Sequence, residues 1–257
     1  MTLMTLWGMT MNFVFDIDGT ISFNGQTIAP EISAAIVTLQ RAGNRVIFAS
    51  ARPIRDLLPI IPAFKDCTLI GANGALIANK QQVKSVRPIT DHDSAVVKQL
   101  IESEALSYVI DGQWDYAAAV PANHQILKQL DPGKLANRVL MTTLTNIIKI
   151  ILLDLSSEQI VRLSDHLKRN TELAVIQHTT EGNLDLTAKG VNKWTTLQYL
   201  GVDHYVAFGN DQNDLEMLAN ADTSVWVTSK PILNELGRQM DQQCMPKTVA
   251  DRIRSFI

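Results

Sequence analysis

The chain has 257 residues, 46% hydrophobic and 19% charged, with a formal net charge of −3 and a pI near 5.9. That is enough for a full α/β core with room for a second, smaller domain, and without a cluster of Lys and Arg it carries no electrostatic footprint for a nucleic-acid backbone. Its two cysteines, Cys67 and Cys244, are far apart and outside any C-x-x-C arrangement, so neither a disulfide scaffold nor a thiolate metal site is signalled.

Residues 1–11 are fairly apolar but lack the Lys or Arg of a signal peptide, and Met4, Met9 and Met11 leave the translation start open. No apolar run reaches the ~18 residues that span a bilayer. The longest, 147–155, is broken by Lys149 and Asp154. A soluble, cytoplasmic protein without membrane or nucleic-acid partners is expected.

Phe13-Val14-Phe15 reads as a buried parallel strand running abruptly into Asp-Ile-Asp-Gly-Thr. Pro30 marks a first helical position, Ile32, Ala35, Ile36 and Leu39 recur at helical spacing, and Gly43 stops the helix. A strand over 46–49 then ends in Ser50. Strand, helix, strand in this order predicts a right-handed βαβ unit, with polar groups at the strand tips where open α/β sheets bind ligands. Pro53, Pro59 and Pro62 break up a short helical segment before a strand at 68–70 and the turn Gly71-Ala72-Asn73-Gly74. From about Val83 the texture changes: alternating stretches at 107–110, 116–120, 147–153 and 173–177 interleave with helical patterns at 95–104 and 158–168, the profile of an inserted α+β module. A last apolar strand, Tyr205-Val206-Ala207-Phe208, runs into Gly-Asn-Asp-Gln-Asn-Asp.

Asp16 and Asp18 lie two apart on extended chain and project to the same side, so they can share one site. Two close carboxylates repel unless a cation or a proton intervenes, which points to a divalent metal or a protonated partner. A solvated turn is the plain alternative for an Asp-x-Asp pair alone.

The full string, an apolar strand followed by Asp16-Ile17-Asp18-Gly19-Thr20, resembles the first motif of the haloacid dehalogenase (HAD) superfamily of phosphohydrolases. The resemblance implies that Asp16 is a nucleophile forming an aspartyl-phosphate, and that Asp18 protonates the leaving oxygen and later activates water. Phe48-Ala49-Ser50-Ala51-Arg52-Pro53 resembles the second motif, which gives Ser50 the transferring phosphoryl group, although a strand-end serine alone is a helix cap more often than a ligand. Thr187-Ala188-Lys189-Gly190-Val191-Asn192-Lys193 resembles the third; Lys193 takes the charge-offsetting role, with Lys189 in reserve. Gly209-Asn210-Asp211-Gln212-Asn213-Asp214 resembles the fourth, except that Asn210 stands where the family has a metal-binding aspartate. An amide oxygen can ligate Mg²⁺ but brings no charge, so weaker metal binding is expected unless Asp211 or Asp214 compensates. The implied Mg²⁺ set is Asp16, Asp18, Asn210 and Asp214, and the implied phosphate-binding set is Ser50, Lys193 and Asn213.

The insertion and Gly71-Ala72-Asn73-Gly74-Ala75 resemble the Cof-type branch, subclass IIB. The fold expected is α/β: a Rossmann-like HAD core with a parallel sheet, residues 1–82 and 185–257, plus an inserted α+β C2-type cap over 83–184. Val225-Trp226-Val227-Thr228-Ser229-Lys230 departs from that branch, and Trp226 either narrows the pocket or fills core. Specificity is expected from cap segments such as Asp111-Gly112-Gln113-Trp114-Asp115-Tyr116 and 178–183, where Trp114 and Tyr116 also read as packing residues. The function expected is a Mg²⁺-dependent phosphatase of small phosphorylated metabolites, sugar phosphates foremost. A phosphomutase and a non-catalytic phospho-ligand binding protein are the alternatives, and a homodimer is left open.

Overall fold

The computed structural model describes residues 10–228 and 236–257. The stretch carrying Met4 and Met9, and Ser229 and Lys230 of the atypical tail, lie outside them. In chain order the elements are β1 (Asn12–Phe15), α1 (Pro30–Arg41), β2 (Arg45–Ala49), α2 (Ile54–Leu57), β3 (Thr68–Gly71), β4 (Leu76–Asn79), β5 (Gln82–Ser85), α3 (Asp91–Glu104), β6 (Ser107–Asp111) and β7 (Tyr116–Ala119). There follow β8 (Lys149–Leu153), α4 (Ser157–Asn170), β9 (Leu173–His178), β10 (Asn183–Ala188), α5 (Lys193–Tyr199), β11 (Tyr205–Gly209), α6 (Leu215–Ala219), β12 (Thr223–Val227), β13 (Gln242–Cys244) and α7 (Val249–Arg254). The chain forms two compact units, one of residues up to Ala49 and from Leu197 on, the other of Ser50–Thr196.

In the first unit the strands run parallel in the order β13-β12-β11-β1-β2. Strands covered on both faces need apolar residues at every position, and Val14, Phe15, Ile47, Phe48, Ala207 and Phe208 are all fully buried. Phe15 pairs in register with both Phe48 and Phe208, so three strands end level. The Phe15 and Phe208 rings lie 4.8 Å apart, and Phe256 closes on Phe208 at 6.0 Å. Helix α1 starts at Pro30, buries Ile32, Ala35, Ile36 and Leu39, and packs beside α7. Trp226 on β12 is 1% exposed and therefore fills core.

In the second unit β3, β4 and β5 form an antiparallel meander. A separate antiparallel sheet has the order β7-β6-β8-β10-β9. One face of that sheet, with Ile110, Ile150, Leu152, Leu184 and Leu186, packs with Val97 and Ile101 of α3 and Ile160, Leu163 and Leu167 of α4 into one core. Helix α4 is set by a capping box, Ser156 with Gln159, and α3 by a Thr90 cap on the Asp93 N–H. No helix among the described residues is long and apolar enough to cross a membrane.

Candidate active site

Strand β1 does not stop cleanly. The Asp16 N–H donates to the Phe208 carbonyl at 2.9 Å, one residue beyond the strand, which pins the Asp16 backbone against β11. Ile17 turns inward and is fully buried, and its carbonyl accepts N–H bonds from Thr20, Ile21 and Ser22 at 3.3, 3.0 and 2.8 Å. Such convergence on one oxygen makes a tight loop that holds Asp16, 5% exposed, on one side and the half-buried Asp18 just beyond. The buried Thr20 hydroxyl oxygen lies 2.9 Å from Asp16 Oδ2 and 2.9 Å from the Asn210 side chain. Gly19 has φ +80°, a region L side chains rarely enter, and a Cβ there would stand 2.3 Å from Asn210 Nδ2.

The tip of β11 is built around Asp214, which is fully buried. Its Oδ2 accepts N–H bonds from Asn210 at 2.9 Å and Asp211 at 3.1 Å, the arrangement that satisfies the first orphan donors of a helical turn. A Cβ on Gly209 would meet Asp214 Cβ at 2.7 Å, so the strand can approach its own loop only as glycine. Asp211 is exposed and accepts the Gln212 N–H at 2.7 Å. The structure thus brings Asp16, Thr20, Asn210 and Asp214 together at the ends of two adjacent strands, with Asp18 on the same loop. Among the described residues no three His, Cys, Asp or Glu side chains gather at metal-holding spacing. Two carboxylates and an amide oxygen nonetheless suit Mg²⁺, which is commonly held by one or two carboxylates and keeps several waters.

Of the remaining expected residues, Ser50 and Lys193 belong to the second unit. Ser50, 1% exposed, donates its N–H to Ile70 and accepts the Arg52 N–H on its side-chain oxygen at 3.1 Å, which leaves the hydroxyl hydrogen to donate. Lys193, also 1% exposed, opens α5. The turn after β3 touches the segments that carry both. Asn73 donates its N–H to the Ser50 carbonyl at 3.0 Å, and the Thr196 hydroxyl donates to the Gly74 carbonyl at 2.8 Å. Ala72, Asn73 and Gly74 all have positive φ, 50°, 55° and 106°. Asn213 is half-buried at the β11 tip of the first unit.

Two features were invisible in the sequence. One is the role of Thr20, whose only signal is its place at the end of Asp-x-Asp-Gly-Thr. The other is a buried charge cluster in the second unit. Arg55, 1% exposed, donates to Asp56 at 3.0 Å, to Asp111 and to the Trp114 carbonyl at 2.9 Å, and lies 4.8 Å from the Tyr116 ring centre. Asp56 also accepts the Asp131 N–H at 3.1 Å, and Asp131 accepts those of Leu135 and Ala136. Burial pushes the Asp56 carboxyl up to about 7 against the opposing pull of Arg55. Tyr116 is therefore a packing partner of this arginine.

The pattern that defines haloacid dehalogenase-like hydrolases matches residues 13–231. The chain belongs to this family. The hydrolase is 26% identical over 231 residues to the 5-amino-6-(5-phospho-D-ribitylamino)uracil phosphatase of Bacillus subtilis, covering 82% of this chain and 83% of that one. Its fold is that of a haloacid dehalogenase-like hydrolase from Bacteroides thetaiotaomicron, with a TM-score of 0.79, 18% identity and coverage of 97% and 100%. It also superposes on a sugar phosphatase of HAD subclass IIB, with a TM-score of 0.75, 17% identity and coverage of 96% and 99%. The hydrolase is thus an α/β protein with a parallel-sheet core of the HAD type.

Proposed function

We propose that this hydrolase is a Cof-type, subclass IIB phosphatase of the cytoplasm, which releases phosphate from small phosphorylated metabolites, sugar phosphates foremost, through an aspartyl-phosphate on Asp16. The observation that carries this reading is the placement of the buried Asp16 carboxylate at the tip of β1: its backbone is pinned to β11, and Oδ2 is within hydrogen-bond distance of the Thr20 hydroxyl. In the first step a carboxylate oxygen of Asp16 bonds to phosphorus as the ester oxygen leaves and takes a proton from Asp18. In the second, Asp18 removes a proton from the water that attacks the aspartyl-phosphate, which frees phosphate and restores both carboxyl groups. Ser50, Lys193 and Asn213 are assigned to the phosphoryl oxygens. A Mg²⁺ held by Asp16, Asp18 and the Asn210 amide, with Asp214 behind its waters, would supply neutralising charge. Residues 1–82 and 185–257 are assigned as catalytic core, and 83–184 as the cap that selects the leaving group.

The test is phosphate release from a panel of sugar phosphates, nucleotides and pyridoxal phosphate with Mg²⁺. Wild type should act on part of the panel, and Asp16→Asn should lose about three orders of magnitude or more. Full activity in Asp16→Asn would remove the aspartyl nucleophile. No release by folded wild type would transfer the site to phospho-ligand binding.

A further inference from the structure

Ala72, Asn73 and Gly74 follow one another at φ of 50°, 55° and 106°, and the first two carry side chains that make this region costly. Such a turn persists only where its surroundings over-determine it. On one side it is tied to the segment after β2: the Ala72 N–H donates to the Arg52 carbonyl at 2.7 Å, and the Asn73 N–H to the Ser50 carbonyl at 3.0 Å. On the other side it meets the start of α5. The buried Thr196 hydroxyl donates to the Gly74 carbonyl at 2.8 Å, across 122 residues of chain, and a Cβ on Gly74 would stand 2.3 Å from the Asn192 carbonyl oxygen. A carbonyl only accepts, so the direction of that hydrogen bond is fixed. Thr196 lies three residues after Lys193 on α5, which places the two as neighbours on one helix face. We infer that Thr196 is a positioning residue: its hydroxyl clasps the 72–74 turn to α5 and so sets Ser50 and Lys193 relative to each other.

This inference rests on Ser50 and Lys193 gripping the phosphoryl group. A tetrahedral phosphoryl group holds its oxygens at fixed spacing, so a hydroxyl and an ammonium from distant parts of the chain serve it only when they are kept in step. A misplacement of about 1 Å can cost about a hundredfold in rate. The 72–74 turn is a piece that both segments share. Without the Thr196 hydroxyl the Gly74 carbonyl loses this donor, and the turn can relax toward a less costly backbone, drawing the Ser50 carbonyl with it. Thr196 thus acts through the turn, and a valine of the same shape deletes the hydrogen bond while keeping the packing.

In the phosphate-release assay Thr196→Val should lower kcat/KM about tenfold and raise the Kd for inorganic phosphate about fivefold, with Thr196→Ser within about twofold of wild type on both. A double-mutant cycle separates positioning from a purely structural role. In a Ser50→Ala background, where the group to be placed is gone, Thr196→Val should cost less than about threefold in kcat/KM. Fully additive losses, or wild-type phosphate affinity in Thr196→Val, overturn the inference. A further readout needs no ligand: amide exchange in ¹⁵N spectra of the full chain. The Asn73 N–H should exchange about tenfold faster in Thr196→Val than in wild type, while the Ile160 N–H of α4, which donates to the Ser156 carbonyl at 2.9 Å, keeps its rate. If Thr196→Val fails to fold, Thr196→Ala gives the same comparisons. Should wild type neither hydrolyse the panel nor bind phosphate, the phosphatase reading falls, and the Asn73 exchange decides the clasp by itself: equal rates in wild type and Thr196→Val overturn it.

Discussion

Substitution of Gly19 separates what the site needs for folding from what it needs for chemistry. A Cβ there meets the far end of a side chain, the Asn210 amide at 2.3 Å, which can swing away, while the φ of +80° persists. Gly19→Ala should therefore cost only about 1–2 kcal/mol in a urea titration, and lose far more phosphate release because Asn210 is displaced from Thr20. The opposite balance holds at Asp214, whose one oxygen serves two backbone donors. Asp214→Ala should unfold at lower urea by about 1–3 kcal/mol, because two backbone N–H groups lose their acceptor and a fully buried side chain is removed. Asp16, Ser50 and Lys193 could be singled out from sequence because strand-tip motifs are local patterns. Thr20 and Arg55 could not, since their partners Asn210 and Asp111 stand 190 and 56 residues away.

Helix α2 is only one turn long, and it carries the least expendable ion cluster of the second unit. Removing Arg55 would leave Asp56 and Asp111 buried without their cation. Arg55→Met should cost about 3–5 kcal/mol, whereas Asp56→Asn, which keeps an acceptor, should cost much less at neutral pH. The pH dependence has a fixed sign. With its pKa raised from 3.8 to about 7 in the fold, Asp56 gives stability that is fully present below about 3.8 and is lost as pH rises to about 7. The stability of wild type relative to Asp56→Asn should fall across that window and stay level above it, in denaturation at a series of pH values. At this scale β1, α1, β2 and β11 were legible because apolar runs and a Pro-to-Gly helix frame mark them. The β4–β5 hairpin was not: its two turn residues, Lys80 and Gln81, take φ of 48° and 65° without the Asn-Gly pair that usually announces such a turn.

The described residues form two compact units, and the core built by α3, α4 and the antiparallel sheet of the second is nearly self-sufficient. Every member of the core formed by α3, α4 and the antiparallel sheet falls between Ile89 and Leu186. A fragment of residues 86–188 should therefore fold by itself, with a mixed α/β circular dichroism spectrum and a cooperative thermal transition; a flat melt would show that it borrows stability from the rest. The α/β class and the inserted module were readable from the switch between parallel-strand runs and alternating strands. Texture changes near Val83, whereas compactness divides the chain after Ala49 and Thr196, because hydrophobic period and inter-residue contact weigh different things.

The tight glycines also shape how this chain can drift. At Gly209 an added carbon would strike Asp214 Cβ at 2.7 Å, and at Gly74 the Asn192 carbonyl oxygen at 2.3 Å, neither of which can swing aside. Every single-nucleotide missense change in a glycine codon adds that carbon. Both positions are evolutionary dead ends, tied to their present state unless Asp214 or the segment before α5 moves first, while at Gly43 and Gly201, with nothing within 4 Å, a side chain meets only the strain of a positive φ, +90° and +68°.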